Sequence, residues 1–504
     1  MGFLHSSSLF PFLLVFIVSF SWPITSSADI YGDFLHCLSS SSISNLVYTQ
    51  MNSSYSSILE STIHNSRFIT PTSPKPWVIV TPLHVSHVQA TIRCSKIHGL
   101  QLRTRSGGHD FEGVSYISES ESPFVIIDLA NLRSVQVDVE NEVAWVQSGA
   151  IMGELYCEIA QKNRTLAFPE FIDANGRILN RKSMGEDLFW AIRGGGGGSF
   201  GIVLSWKIKL VHVGETVTVF SISKTLEQNA TQILHRWQYI SYKFPDGMYP
   251  SITISTTNTT TQDGRNLTVV VTFSTMFLGR ANELVLLMQN IFSELGLTSK
   301  DCNEMSFVES ILALGLLPNQ NLEILLDRNY RVSFLVATPS FKTKSDYVKK
   351  PIPEIGFQGI WSQLLEPEAR GATFNFVAYG GKMDEFPESA VPFPHRKGNL
   401  YKISYNIRWR EDDNVNSERY IAWMRRFYSY MKPFVSKSPR EAYVNYRDLD
   451  IGKNNEDGYT TYAQMSVWGR KYFKNNFDRL VKIKTKIDPE NFFWHQQSIS
   501  PYFG

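Results

Sequence analysis

The sequence predicts an α+β fold of two or three structural units, and three observations point that way. Its 504 residues exceed what one simple core accommodates. Strand and helix periodicities interleave along the chain, with no internal repeat of fixed period. From about residue 214 the pattern changes to longer strands alternating with helices, which marks a second α+β unit. The composition is globular: 43% apolar, 13% aromatic and 19% charged residues, rich in the flat side chains that line cofactor and aromatic-substrate pockets. The net charge is only +2 and basic residues are scattered among acidic ones, so no nucleic-acid partner is expected.

Residues 1–28 read as a secretory signal peptide. The apolar run at 9–22 is short for a bilayer span, Pro23 ends it, and Thr25-Ser26-Ser27-Ala28 follows, although the n-region lacks Lys and Arg. No later segment has a membrane-spanning pattern, so no anchor is expected. Sequons at Asn52, Asn163, Asn229, Asn258 and Asn266 agree with a secretory route to the extracellular space, cell wall or vacuole. None of Cys37, Cys94, Cys157 and Cys302 forms a CxxC pair, so zinc-ligand and thioredoxin readings have no support and no metal is expected. In an oxidising compartment Cys37 with Cys94 is the preferred disulfide, tying the N-terminal arm to a helix at 84–98. Cys157 and Cys302 read as small buried hydrophobes.

A Ser-rich arm leads to Pro71-Thr72-Ser73-Pro74-Lys75-Pro76, an extended connector after which a domain starts. A buried strand is expected at 77–80, then a helix carrying Val85, Val88 and Ile92 that Gly99 stops, then a strand at 101–105. Val135, Val137 and Val139 alternate, and with 143–147 they form a hairpin around Glu140-Asn141-Glu142. Asn175-Gly176 turns a second hairpin between Phe171-Ile172 and Ile178-Leu179. Ser183 and Glu186 predict a capping box that starts a short helix through Trp190, closed by Gly194, with a strand at 202–210 following. Beyond 214, a strand at 267–273 and a helix at 283–295 typify the second unit. A Tyr/Arg/Asp-rich stretch near 440 begins a third that could return to the first.

Two glycine-bearing segments carry chemistry. In Arg105-Ser106-Gly107-Gly108-His109-Asp110 the adjacent glycines let peptide N–H groups approach a bulky anion such as a dinucleotide pyrophosphate. His109 beside them could be a general base, a metal ligand, a covalent attachment point or a structural hydrogen-bonder. The run Gly194-Gly195-Gly196-Gly197-Gly198 is not a Rossmann fingerprint, because a helix precedes it and a strand follows. No Gly-Lys-Ser/Thr ending makes it a Walker loop. A run locked between a capped helix and a buried strand suggests tight backbone packing.

These segments, Thr104-Arg105-Ser106-Gly107-Gly108-His109-Asp110-Phe111-Glu112-Gly113 and Asp187-Leu188-Phe189-Trp190-Ala191-Ile192-Arg193, resemble the PCMH-type FAD-binding domain of the vanillyl-alcohol oxidase superfamily. Tyr443-Val444-Asn445-Tyr446-Arg447-Asp448-Leu449-Asp450 and Asp488-Pro489-Glu490-Asn491-Phe492-Phe493 resemble the C-terminal region of berberine bridge enzyme-like proteins. The resemblance implies an N-terminal arm at 29–71, an FAD-binding domain at 72–213, a substrate domain at 214–440 and a C-terminal segment at 441–504 that returns to the first domain. It implies FAD carried covalently on His109, cofactor contacts from Arg105, Ser106, Gly107, Gly108, Asp110, Ser115, Gly201, Ile202 and Asn445, and the family disulfide at Cys37 and Cys94. One departure stands out. Relatives continue from Ala167-Phe168-Pro169 into a loop with a second flavin-linking cysteine and a glycine-rich phosphate-binding stretch. Here Glu170-Phe171-Ile172 runs straight into Asp173-Ala174-Asn175-Gly176. The second, cysteinyl link is therefore absent, and Cys157 upstream is no substitute.

The activity implied is hydride transfer from a small hydroxylated or aromatic metabolite (an alkaloid, monolignol or oligosaccharide) to the flavin, with O2 as acceptor, in a monomer. Tyr446 matches the family's candidate base, Lys402 could stabilise its phenolate, and Tyr379 and Tyr116 match other pocket positions, although a core ring reads as well for either. Ser404 stands where many relatives have Gln. The alternatives are a catalytically inactive relative and a secreted glycan-binding glycoprotein.

Overall fold

The computed structural model describes residues 27–118, 122–162, 169–172, 174–259, 267–314, 321–328, 339–456 and 459–502. Most of the expected signal peptide, the sequons at Asn163 and Asn266, and Asp173 lie outside these residues. Asn52, Asn229 and Asn258 are all exposed.

Three sheets follow one another along the chain. The first contains β1 (Val47–Thr49), β2 (Val78–Val80), β3 (Gln101–Arg105) and β4 (Phe124–Asp128) in the order β1-β2-β4-β3. β2, β4 and β3 run parallel, with β1 antiparallel at the edge. All residues of β2 and β4 are buried, as near-continuous Val/Ile runs in a parallel sheet require. The second sheet, β5 (Val135–Asp138), β6 (Val143–Gln147), β7 (Pro169–Ile172), β8 (Ile178–Leu179) and β9 (Ile202–Lys209), has the order β5-β6-β9-β7-β8 and is antiparallel throughout. The third comprises β10 (Val217–Thr225), β11 (Met248–Asn258), β12 (Leu267–Phe277), β13 (Cys302–Met305), β14 (Ser340–Val348), β15 (Ala372–Ala378) and β16 (Tyr401–Trp409). Its order is β13-β10-β12-β11-β15-β16-β14, again antiparallel.

Both expected hairpins form, the second with Phe171 opposite Leu179 and Gly176 at φ +73°. Cys37 and Cys94 are disulfide-bonded, joining helix Ser27–Ser40 to helix Val85–Ile97. Trp77 falls just outside β2, its amide donating to the Phe124 carbonyl, and the strand expected to reach 210 ends at Lys209. The strand expected at 267–273 runs on to Phe277, and the helix expected at 283–295 is Ala281–Ile291 followed by a separate turn at Ser293–Leu295. Cys302 is half-buried, so only Cys157 is a buried thiol.

The capping reading at Ser183 and Glu186 needs correction. The helical stretch Arg181–Ile192 is broken at Gly185 (φ +73°), and Asn180 caps its first piece: the Asn180 side chain accepts from the Ser183 amide while the Ser183 hydroxyl accepts from the Asn180 amide. Asn accepts as well as Ser at this position, and the earlier residue wins because it precedes the first helical turn. Glu186 pairs instead with Arg181.

The C-terminal stretch packs against residues 188–200 and against the first sheet. Trp468, Phe477 and Leu480 share a core with Leu188, Trp190 and Phe200, and Phe493 enters the core built on β2 and β4. The glycine run serves this packing. A Cβ at Gly195 would lie 2.6 Å from Leu480 Cδ2, and one at Gly194 would lie 3.2 Å from the Phe393 amide. The second unit has its own core, in which Trp237, Phe357, Phe374 and Phe427 close one face of the third sheet.

Candidate active site

The Arg105–Asp110 loop leaves the carboxyl end of β3, the edge at which parallel sheets hold ligands. Its shape depends on Gly108, at φ +65°, where a Cβ would stand 2.2 Å from the Thr62 carbonyl oxygen. Arg105 lies fully buried beneath, donating to Asp128 and to the carbonyls of Ile58 and Leu59. It shapes the loop from below. Ser106 donates from its hydroxyl to the Ser148 carbonyl. Asp110 accepts from the amides of Val114 at 2.6 Å and Ser115 at 3.2 Å and from the Ser115 hydroxyl. Burial raises its pKa against these bonds. Ser115 therefore acts inside the loop.

His109 is exposed, and its ring stacks on that of His64 at 4.1 Å between centroids and 10° between planes. His64 in turn donates from Nε2 to the Gly107 carbonyl at 2.9 Å. The imidazole is thus fixed on one face while remaining accessible.

A second group of side chains gathers beside the loop. Phe111 stacks on Tyr446 at 5.5 Å, and Tyr446 meets Tyr443 edge-on at 5.0 Å. Lys402, on β16 and 8% exposed, places Nζ 4.1 Å above the Tyr443 ring and 4.3 Å above that of Tyr446. Burial pulls the Lys402 ammonium down to about 8 and pushes the Tyr446 phenol up to about 12, with Tyr443 and Tyr249 adding to the latter. Tyr379 reaches the Tyr347 hydroxyl at 3.4 Å, and burial raises its pKa. Asn445 donates to the Tyr443 hydroxyl at 2.9 Å. Ser404 accepts from Asn406 at 3.3 Å and lies within the strand network.

Buried charges hold the two groups together. Lys342 on β14 binds Glu112, three residues past His109, and Asp448, two residues past Tyr446, at 2.8 Å. Lys344 binds Asp448 and Asp450, each at 2.7 Å, while Arg67 and Arg425 complete the network at Glu112 and Asp450. Burial alone would lower the Lys342 pKa, but Glu112, Asp448 and Asp450 outweigh it and raise it. Asn65, fully buried, adds a neutral staple: it donates to the carbonyls of Phe111 and Phe341 and accepts from the Phe341 amide, each at 3.1 Å.

Tyr116 lies elsewhere, in the core with Tyr55, Leu59, Ile63 and Phe124, and contacts the Phe68 ring edge-on. Gly201 and Ile202 are buried at the start of β9, where Ile202 belongs to the first unit's core. The sequence reading missed His64, Phe111, Tyr443 and the two strand lysines. Only Phe111 and Tyr443 stood in segments singled out by motif. His64 is a lone histidine in the arm, and Lys342 and Lys344 carry no pattern that distinguishes them from solvent-facing residues.

The loop suits the phosphates of a dinucleotide. A glycine-shaped cradle opens at a strand's carboxyl end, and two buried hydroxyls without partners among the described residues, Thr62 Oγ1 and Ser148 Oγ, belong to the residues that flank it. Fold and cradle together define an FAD-binding oxidoreductase, and comparison with known proteins agrees. The model for "FAD binding domain" matches residues 76–175, and that for "Berberine and berberine like" matches residues 442–500. Berberine bridge enzyme-like 24 of Arabidopsis thaliana is 44% identical over 538 aligned positions, covering 97% of each chain. Tetrahydroberberine oxidase of Berberis wilsoniae is 44% identical, covering 95% of this chain and 96% of its own. The solved structure of BBE-like #28 from Arabidopsis thaliana superimposes with a TM-score of 0.86 at 42% identity, covering 94% of this chain and all of that one. The chain belongs to the berberine bridge enzyme-like family of FAD-linked oxidoreductases. The 538 aligned positions exceed its 504 residues, so several dozen positions of the first relative face no residue here. β7 pairs with both β8 and β9 across the junction at Glu170.

Proposed function

We propose that this protein is a secreted oxidoreductase that carries FAD on His109 and oxidises a small hydroxylated or aromatic metabolite at the Tyr446–Lys402 cluster. The observation that carries the reading is the attachment of this cluster to the glycine cradle through Phe111 and the Lys342 charge network. FAD, when bound, would supply the two-electron acceptor for the substrate's hydride, with O2 as terminal acceptor. Tyr446 takes the substrate's hydroxyl proton on its phenolic oxygen. A phenol near 12 keeps its proton almost completely at neutral pH, so only its phenolate can act as the base and must be stabilised; the Lys402 ammonium over the ring supplies the charge. Phe111 and Tyr443 offer the flat apolar surfaces on which an aromatic or sugar ring can lie. Tyr379 lies near enough to Tyr443 and Tyr446 to raise its own pKa further, and serves as a second hydroxyl for orienting substrate.

The test is the absorbance spectrum of the secreted protein before and after denaturation. A flavin spectrum that stays with the polypeptide, and is released from the His109→Ala variant, supports the tether. Tyr446→Phe should slow flavin reduction by about two orders of magnitude or more. A colourless protein that takes up no added FAD, or unchanged reduction in Tyr446→Phe, refutes the reading.

A further inference from the structure

The geometry points to Arg328 as a cation that this chain places at the cofactor cradle to hold the dinucleotide's phosphates, an inference that rests on the FAD reading above. Arg328 follows the turn Leu322–Leu326, a piece of the second unit that reaches across to the first. That turn lies against helix Met152–Lys162. A Cβ at Gly153 would sit 1.8 Å from the Leu325 carbonyl oxygen, and Cys157 Sγ stands 3.5 Å from the Leu322 carbonyl. The close approach demands a residue without a side chain at 153, and the sequence supplies it.

The turn delivers a guanidinium to a defined place. Arg328 donates to the Ala130 carbonyl at 3.1 Å, just beyond the carboxyl end of β4, and to the Gly149 carbonyl. The preceding residue, Ser148, accepts on its carbonyl from Ser106 of the cradle, and its own hydroxyl is buried without a partner among the described residues. Arg328 thus stands one peptide away from the glycine loop, at the carboxyl edge shared by β3 and β4, where a parallel sheet presents its ligand crevice.

The charge there is unmatched. Two of the five guanidinium N–H groups have carbonyl partners, and among the described residues no carboxylate lies within ion-pair reach of Arg328. The neighbouring acids are occupied: Asp128 by Arg105, and Glu154 by Arg133 at 3.3 Å and by the Ile151 amide at 2.9 Å. A half-buried guanidinium with donors to spare, beside a glycine cradle and an orphaned hydroxyl, recognises a phosphate or pyrophosphate.

The experiment uses His109→Ala protein, in which uptake is reversible, titrated with FAD by quenching of flavin fluorescence and with ADP as competitor. ADP carries the phosphates without the flavin ring. Arg328→Gln can still donate to the carbonyls of Ala130 and Gly149, so it removes charge while leaving the turn anchored. It should weaken both FAD and ADP by roughly ten- to a hundredfold, and Arg328→Lys should restore part of the loss. Uptake of FAD and ADP by Arg328→Gln equal to that of its parent overturns the inference and leaves the FAD reading intact. Affinities that follow the melting temperatures of the two variants instead of their charge overturn it as well. If the parent takes up neither probe, the FAD reading falls and the inference falls with it.

Discussion

Replacing Lys402 with Met should make the protein more stable at neutral pH, and the gain should vanish in alkali. Lys402 is 8% exposed, and among the described residues its ammonium meets two aromatic faces but no carboxylate. Burial lowers it from 10.5 to about 8, a difference worth roughly 3 kcal/mol at about 1.36 kcal/mol per pH unit. Attraction to the Tyr443 and Tyr446 rings returns about 1–2 kcal/mol, so the net gain for an unbranched Met of similar reach is about 1–2 kcal/mol. The pH dependence follows from the direction of the shift. Below about 8 the lysine is charged in both folded and unfolded chains, and the full desolvation cost is present. Between about 8 and 10.5 the folded chain has released the proton and the unfolded chain still binds it, so wild-type stability rises with pH. Above that window the cost is gone. Guanidinium unfolding followed by tryptophan fluorescence at pH 7 and pH 10 measures the difference. A Lys402→Met variant that is destabilised equally at both values would show that the ammonium is not held at a cost.

Lys342→Met should have the opposite sign, because it leaves Glu112 and Asp448 buried with one counter-charge fewer; we expect a loss of about 3–5 kcal/mol in the same assay, and a loss below about 1 kcal/mol would contradict a tightly coupled network. Cys37→Ser removes a link between residues 57 apart in sequence, for which chain entropy predicts a loss of up to about 4 kcal/mol, seen as a lower melting temperature that reductant no longer changes. Gly108→Ala should abolish FAD uptake, since its methyl would meet the Thr62 carbonyl at 2.2 Å in a left-handed backbone. Gly198→Ala, which meets nothing within 4 Å, should leave uptake unaltered; equal behaviour of the two would rule out a shaped cradle.

Much of the architecture was legible because local chemistry fixes it. The buried run of β2, the Asn175-Gly176 hairpin and the exact span of β3 follow from side-chain patterns within a few residues, whereas β4 was not read from the sequence. The cap at Asn180 was misplaced by three residues because Asn and Ser are near-equivalent acceptors, and only the backbone path shows which one precedes the helix. The glycine run was read as a site of close packing, but its partners, Leu480 and Phe393, lie hundreds of residues downstream.

The sequence alone determined the family, the pairing of Cys37 with Cys94 and the glycine loop beside His109, since each resides in a contiguous motif or a small set of residue types. Only the tertiary structure decided that Tyr116 is a core ring, that Lys402 lies between two tyrosines, that His64 backs His109, and that Lys342 joins the cradle to the Tyr446 segment. These depend on strands from distant parts of the chain arriving side by side. The cost of burying a charge, and the partner that offsets it, exist only once folding has brought the two together.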